Sequence, residues 1–398
     1  MRALELLDGT GVDRPSLSFA RQPDFRELIN SAIDASKQNS VVTLFCGAGA
    51  SIDSDMPTWR ELIQRLAEKI SNQDLARLLI AEDVDLPRRV ELILAAFTSG
   101  SPESVAISEA LYRDSGRQAP GPLAASIAQI AKSLAPNVNI VTTNYDDRLE
   151  LALARVAADG EKVESFGLNS IAEWKASKSK YKVLHLHGYL PSNQLAGVPP
   201  IEPIVLSESS YVYVGRQVQD FVEECLESST VLFIGTSMTD PSVVRPLHRT
   251  VQDGKRSGPR PFALWVPKDD WAGDESAIAA RRGFTKLQLR YLRQPLNIGP
   301  IVLKSYGQMA QCIAEVVTAI RHPDAYLSDD PDTSLRYGFR FHRTMQAVGV
   351  KLDIDSGEFA PSGDSSRRSQ RRPCGAAYDW WQNRRVSKEV RDGLSAFP

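Results

Sequence analysis

Apolar positions recur along this chain with two periods, and their alternation predicts the architecture. Val41-Val42-Thr43-Leu44-Phe45 is a β-branched apolar run that stops at Gly47-Ala48-Gly49-Ala50-Ser51, which reads as a buried strand followed by a glycine-rich turn. Ahead of it, Leu28, Ile29 and Ile33 give a helical spacing between Phe25 and Lys37. Beyond it, Thr58 and Glu61 have the Thr-x-x-Glu spacing of a capping box, and Leu62, Ile63, Leu66 and Ile70 recur on one face, so a helix is predicted to start near Trp59. Residues 72–135 keep helical periods (Leu75, Leu78, Leu79; Val90, Ile93, Leu94; Ile127, Ile130, Leu134) without a strand, which predicts a helical insertion placed to serve as a lid. Short apolar runs then return at 139–142, 182–186, 204–206, 231–234, 262–266 and 301–304, several followed by helical segments. Strands interleaved with helices predict an α/β fold: a Rossmann-like, mostly parallel sheet with helices on both faces.

The pattern also divides the chain. Residues 1–22 carry few apolar repeats and read as an N-terminal arm, 23–325 as the folded domain, and 326–398 as a C-terminal extension with a Ser/Arg-rich linker between Pro361 and Pro373. A length of 398 residues with 42% hydrophobic and 24% charged positions fits a globular core and excludes a disordered or coiled-coil chain. A net charge of −2 supplies no chain-wide attraction for nucleic acid or an anionic membrane. No apolar run approaches the ~20 residues that span a bilayer, and the start MRALELLDGT lacks a signal-peptide pattern, so a cytoplasmic location is expected. Cys46, Cys225, Cys312 and Cys374 stand too far apart for a Cys-x-x-Cys pair, and the helical spacing Met309, Cys312, Ile313, Val316, Val317, Ile320 marks Cys312 as a core thiol.

Four strand ends carry the candidate chemistry. At Gly47-x-Gly49 the backbone can approach an anion closely and aim its N–H groups at it, although a third glycine of the dinucleotide fingerprint is replaced by Ile52, and two glycines alone equally describe a strand turn. At Thr142-Thr143-Asn144-Tyr145-Asp146-Asp147, Asn144 offers a donor and an acceptor suited to ribose hydroxyls and Asp146 an acceptor for a carboxamide; either residue also suits a helix N-cap. In His185-Leu186-His187-Gly188 the alternation of a strand turns only one imidazole to the crevice; His187, nearer the strand end, is the candidate base and His185 a core histidine. After Val231–Ile234, Thr236 and Ser237 can bond phosphate or ribose oxygens, while Asp240 before Pro241 has the form of a helix cap.

Taken in order, Gly47-Ala48-Gly49-Ala50-Ser51, Thr142-Thr143-Asn144-Tyr145-Asp146, His187-Gly188 and Gly235-Thr236-Ser237 resemble the sirtuin family over residues 25–320. The segments Ser54-Asp55-Met56-Pro57-Thr58-Trp59, Ile204-Val205-Leu206-Ser207-Glu208-Ser209-Ser210-Tyr211 and Ser237-Met238-Thr239-Asp240-Pro241 look more like its bacterial antiviral-defence effectors than its protein deacylases. The resemblance implies NAD as substrate, with Gly47, Ala48, Gly49 and Ser51 at the diphosphate, Asn144 at the ribose and attacking water, Asp146 at the nicotinamide carboxamide, and His187 as base. It further implies Thr236 and Ser237 at phosphate and adenosine ribose, and Tyr306 near the adenine. The scattered cysteines do not supply the four-cysteine zinc module of the deacylases, so no metal is expected, and Asp55 stands where the family usually has glycine.

The activity expected on this resemblance is NAD glycohydrolysis to ADP-ribose and nicotinamide, used to deplete NAD during phage infection. A deacylase or ADP-ribosyl transferase shares the substrate, and a non-catalytic module sensing NAD or ADP-ribose is the alternative from another class. Restraint of such an effector implies homo-oligomerisation or a protein partner such as a HerA-type ATPase or a short Argonaute complex. Arg336, Arg340, Arg343, Arg367-Arg368, Arg371-Arg372 and Arg384-Arg385, with Trp380-Trp381, make the C-terminal extension a candidate docking segment. Nucleic acid would be met only there or through the partner. The same tryptophans equally suit a tail covering a core edge.

Overall fold

The computed structural model describes residues 19, 22–37, 40–97, 103–113, 119–192, 198–252, 258–267, 275–328 and 330–350. The expected linker, the basic pairs beyond residue 366 and Trp380-Trp381 lie outside them.

The strands are β1 (Val42–Cys46), β2 (Val138–Thr142), β3 (Val163–Gly167), β4 (Tyr181–His185), β5 (Thr230–Ile234), β6 (Phe262–Trp265) and β7 (Gly299–Val302). They form one sheet in the order β3-β4-β2-β1-β5-β6-β7, and every pairing is parallel. This is the expected Rossmann-like α/β fold. The central strands β1 and β5 are buried at every position, as uninterrupted apolar runs require when helices cover both faces.

Fourteen helices are described: α1 (Pro23–Ser36), α2 (Trp59–Ala67), α3 (Gln73–Ala81), α4 (Leu86–Ala95), α5 (Glu103–Leu111), α6 (Pro122–Leu134), α7 (Arg148–Val156), α8 (Ile171–Ala176), α9 (Glu208–Ser228), α10 (Pro241–Gln252), α11 (Glu275–Arg293), α12 (Gly307–Arg321), α13 (Pro323–Leu327) and α14 (Pro331–Ala347). One face of the sheet is covered by α1, α6, α7, α12 and α14, whose buried residues share a core with Leu44, Ile140 and Leu232. The other is covered by α8, α9 and α10 around Phe45, Val141 and Phe233. The run expected as a helical insertion divides between two cores. Helix α6 packs on the sheet, whereas α2–α5 surround a separate cluster that includes Leu62, Ile63, Val90, Ile93 and Ile107. Helix α2 begins where the sequence placed it: Thr58 accepts from the Glu61 amide while Glu61 accepts from the Thr58 amide, a complete capping box.

Both ends of the described chain are tied in. Gln22 donates to the Val302 carbonyl (2.7 Å) and accepts from its amide (2.8 Å), and Phe19 packs edge-on against Phe25. Tyr337, Phe341 and Met345 of α14 are buried in the main core, leaving Arg336, Arg340 and Arg343 on the exposed side.

Two sequence expectations need correction. Residues 204–206 are extended but form no strand: Val205 donates to the His187 carbonyl (2.9 Å), and the chain then enters α9 through the Ser207 cap. Strand β3 was not expected, because at this edge Val163-Glu164-Ser165-Phe166 are only half-buried and carry no apolar run.

The β1 and β5 loops lie against each other. Gly235 has φ +66°, and a Cβ there would stand 2.3 Å from the Ala50 nitrogen. Gly235→Ala is therefore expected to lose at least about 2 kcal/mol from backbone strain and collision, measured by urea unfolding; an unchanged midpoint would mean that these loops are not in contact.

Candidate active site

The parallel register sets the site. Cys46 pairs with Thr142 and with Ile234, and Thr142 pairs with His185, so β5, β1, β2 and β4 end level with one another. The chain leaves β1 for strands on one side of the sheet and later returns to β5 on the other. Such a reversal opens a crevice beyond the carboxyl ends of the strands.

In the first loop the backbone amides have partners. Gly47 donates to the Ile234 carbonyl and Gly49 to the Gly235 carbonyl, both at 2.9 Å, and a Cβ on either glycine would strike the Gly235 backbone at 2.8 Å or less. Neither glycine has positive φ among the described residues. Their lack of a side chain admits the neighbouring loop, and the general device of amides aimed at an anion is not what these two N–H groups do. Ala48 forms the exposed crest of the turn.

Ser51, buried at its foot, connects this loop to the second. Asn144 Nδ2 donates to Ser51 Oγ, Ser51 Oγ donates to Asp146 Oδ1, and Asp146 Oδ1 also accepts the Arg148 amide, each at 3.0 Å. The Asn144 amide in turn donates to Thr142 Oγ1 (3.0 Å). The N-cap of α7 is Asp147, so neither Asn144 nor Asp146 takes that position; Asp146, one residue earlier, accepts the Arg148 amide while Asn144 reaches across to Ser51. Burial pushes the Asp146 carboxyl up to about 6, against the opposing pull of its bonds from the Arg148 amide and Ser51.

The two histidines separate at the end of β4. His185 is completely buried, with Nδ1 2.9 Å from the Asn144 carbonyl and Nε2 2.7 Å from Glu150 Oε1. His187 lies past the strand, also buried, its ring 5.3 Å from that of Tyr211 and its Nε2 3.8 Å from Asp240 Oδ2. That nitrogen has no hydrogen-bond partner. Burial holds the His187 pKa below the ordinary imidazole value although the Asp240 carboxylate opposes it, so the ring is neutral and able to accept a proton at pH 7. Gly188 (φ +89°) then turns the chain under Pro203, whose carbonyl would meet a Cβ at 2.5 Å.

In the fourth loop Thr236 is half-buried beside Gly47, and exposed Ser237 bonds Thr239 (2.6 Å). Asp240 Oδ1 caps α10 through the Ser242 amide (2.8 Å), leaving Oδ2 toward His187. Tyr306 stands apart: it is 56% exposed at the start of α12, after β7, two strands beyond β5.

Sequence reasoning overlooked several supporting residues. Glu150 was hidden within a helix, and Tyr112 within the helical run. Tyr112 donates to the Leu190 carbonyl (2.6 Å) and accepts from the Asp147 amide (3.3 Å), while Asp147 Oδ2 accepts from the Ser192 amide (2.8 Å). Tyr211 lay within a segment quoted only for the family resemblance, and nothing in it signalled the aromatic contact with His187.

Together the fold and these loops define an α/β protein whose strand order reverses at the carboxyl ends of β1 and β5, where proteins of this architecture take their ligands. Residues 138–292, from β2 into α11, match the family model of a SIR2-like domain. The match supports a sirtuin-like family for this stretch and an NAD-related function. It encloses Asn144, Asp146, His187, Thr236 and Ser237, whereas Gly47–Ser51 and Tyr306 lie on either side of it. No helix among the described residues is long and apolar enough to cross a membrane.

The Asp146 environment gives a test. An ordinary carboxyl ionises near pH 4, so between about pH 4 and 6 the unfolded chain has lost a proton that folded Asp146 retains, and stability falls as pH rises through that window. Asp146→Asn keeps an acceptor for Ser51 and Arg148 without the buried charge. The variant is expected to exceed wild type by on the order of 3 kcal/mol at pH 8 and to equal it near pH 4. Urea midpoints at both pH values decide this; a difference independent of pH would exclude a raised Asp146 pKa.

Proposed function

We propose that this protein is an NAD glycohydrolase, producing ADP-ribose and nicotinamide, and that it serves as an NAD-depleting effector of antiphage defence. The observation that carries the reading is the hydrogen-bonded chain Asn144–Ser51–Asp146 on level strand ends, with the unpartnered Nε2 of neutral His187 on the loop next to it. These residues fit the dinucleotide's reacting end: an orphaned buried nitrogen seeks a hydroxyl, and an oriented amide seeks water or ribose.

Cleavage of the nicotinamide–ribose bond by water yields ADP-ribose, neutral nicotinamide and one proton. With its Nδ2 committed to Ser51, Asn144 presents Oδ1 as the acceptor that orients water or a ribose hydroxyl. His187 Nε2 takes a proton from a ribose hydroxyl, which offsets positive charge developing on the sugar. Asp146 accepts a carboxamide N–H, while exposed Ala48 and Ser237 and half-buried Thr236, on the rims of their loops, meet the phosphates and the second ribose. Gly47 and Gly49 keep the rims together, and Tyr306 offers an exposed ring for the adenine. Gating comes from homo-oligomerisation or from a partner of the HerA-type ATPase or short Argonaute kind, the reading that the antiviral-type segments of the sequence favour.

Nicotinamide release by the purified chain, alone and with the proteins encoded beside it, tests this directly. Asn144→Ala is expected to abolish turnover with folding largely spared, and His187→Ala to lower kcat by roughly 10²- to 10⁴-fold with a smaller effect on NAD affinity. Full hydrolysis by both variants would refute the site. Products formed only with an acyl-lysine peptide would favour a deacylase, and NAD binding without nicotinamide release under every activating condition would favour a sensing module.

A further inference from the structure

The buried pair behind the candidate site has a hydrogen count that the proposed chemistry does not use. The Asn144 carbonyl can only accept, so His185 Nδ1, at 2.9 Å, carries a hydrogen. His185 Nε2 faces Glu150 Oε1 at 2.7 Å, and the same oxygen accepts from Ser165 Oγ at 3.0 Å. Imidazole and carboxyl therefore share one proton across the short contact while the Nδ1–H remains directed at Asn144. Both side chains are at least 96% buried, and Thr142 of β2 is the register partner of His185, so the imidazole reaches from one strand end to the loop leaving the next. Glu150 sits on the first turns of α7, directly after that loop, and Ser165 on β3. Of its two bonds, one is made to the Asn144 peptide itself, and the other, to Glu150, fixes which nitrogen makes it.

We propose that His185 is a positioning residue: its Nδ1–H holds the Asn144 carbonyl, with Glu150 fixing that tautomer, so that the Asn144 side chain stays on Ser51 and facing the crevice. The inference rests on the proposed role of Asn144 in NAD cleavage. Its structural half concerns only how the 143–148 loop is held.

Two amide substitutions separate the contacts of the ring. Asparagine places its NH2 near the former Nδ1, whereas glutamine reaches the position of Nε2 and abandons the Asn144 carbonyl. Both are made together with Glu150→Gln, so that no buried carboxylate loses its imidazole. The amide at position 150 has two hydrogens, enough for both His185 Nε2 and Ser165 Oγ in the E150Q control. In the E150Q background, His185→Asn is expected to keep kcat within about threefold of the control, and His185→Gln to lower it by roughly 10- to 100-fold at little change in KM, the cost of misplacing an orienting group. Hydrogen–deuterium exchange of the 143–148 amides, read without reference to turnover, is expected to quicken in His185→Gln and not in His185→Asn. Equal exchange in the two variants overturns the positioning role whatever the activity. Equal kcat values with unequal exchange overturn the link to catalysis. Failure of every protein, wild type included, to release nicotinamide under every activating condition, while exchange still separates the variants, overturns the glycohydrolase reading and leaves the anchoring of the loop intact.

Discussion

Everything in the crevice depends on four strands ending at one level. Parallel pairing fixes Cys46 beside both Thr142 and Ile234, and Thr142 beside His185. A slip of one residue in any of these strands would exchange its two faces, placing Leu44 or Val141 in the wrong core. Register is therefore enforced by burial on both sides of the sheet, and the loops inherit it. Residues nearly a hundred positions apart, Ser51 and Asn144, meet within hydrogen-bond distance because the hydrophobic cores permit no other alignment.

That alignment forces polar groups out of water. Asn144, Asp146, Asp147, Arg148, Glu150, His185 and His187 are all buried, and a buried polar group without a partner costs about 1–3 kcal/mol. The structure satisfies most of them locally: Ser51 is both acceptor and donor, Asp147 is bonded by Ser192, and His185 uses both ring nitrogens. His187 Nε2 is left over, as is Glu150 Oε2. The Glu150 oxygen belongs to the scaffold behind the site, whereas the His187 nitrogen lies on the loop next to the Asn144 loop. The same reasoning separates the two histidines: one ring uses both nitrogens in the scaffold, and the other keeps Nε2 without a partner.

Much of this was legible in the sequence, for reasons that differ from element to element. The buried strands β1, β2 and β5 read clearly because burial on both faces requires unbroken apolar runs, and Thr58-x-x-Glu61 marked the start of α2 because capping is a local matter. Edge strand β3 was silent because half of its surface faces water and its residues look like a loop. Ile204–Leu206 misled in the opposite direction, apolar because it packs beneath the Tyr145 loop rather than because it pairs. At the candidate site, Asn144 and Asp146 stood out by their place at a strand end and Ser51 through the family resemblance, whereas Glu150 and Tyr211 in helices, and Tyr112 just past one, gain meaning only from neighbours distant in sequence. Gly47 and Gly49 were noticed for a sound reason, close approach of a backbone. What approaches is the β5 loop.

The helices α2–α5 complete the mechanical picture. Their core is not independent of the crevice, for Tyr145 from the Asn144 loop, Leu190 from the turn after His187 and Leu206 ahead of α9 are members of it. Tyr145 spans the junction: its hydroxyl donates to the Val205 carbonyl (2.6 Å) and its carbonyl accepts from the Leu190 amide (2.7 Å). Tyr112, just past α5, adds hydrogen bonds to Leu190 and Asp147. Close-packed interiors transmit displacement rather than absorb it, so these helices cannot shift as a body while the second and third loops stay fixed. The sheet determines where the loops begin, and the helical cluster determines where they come to rest.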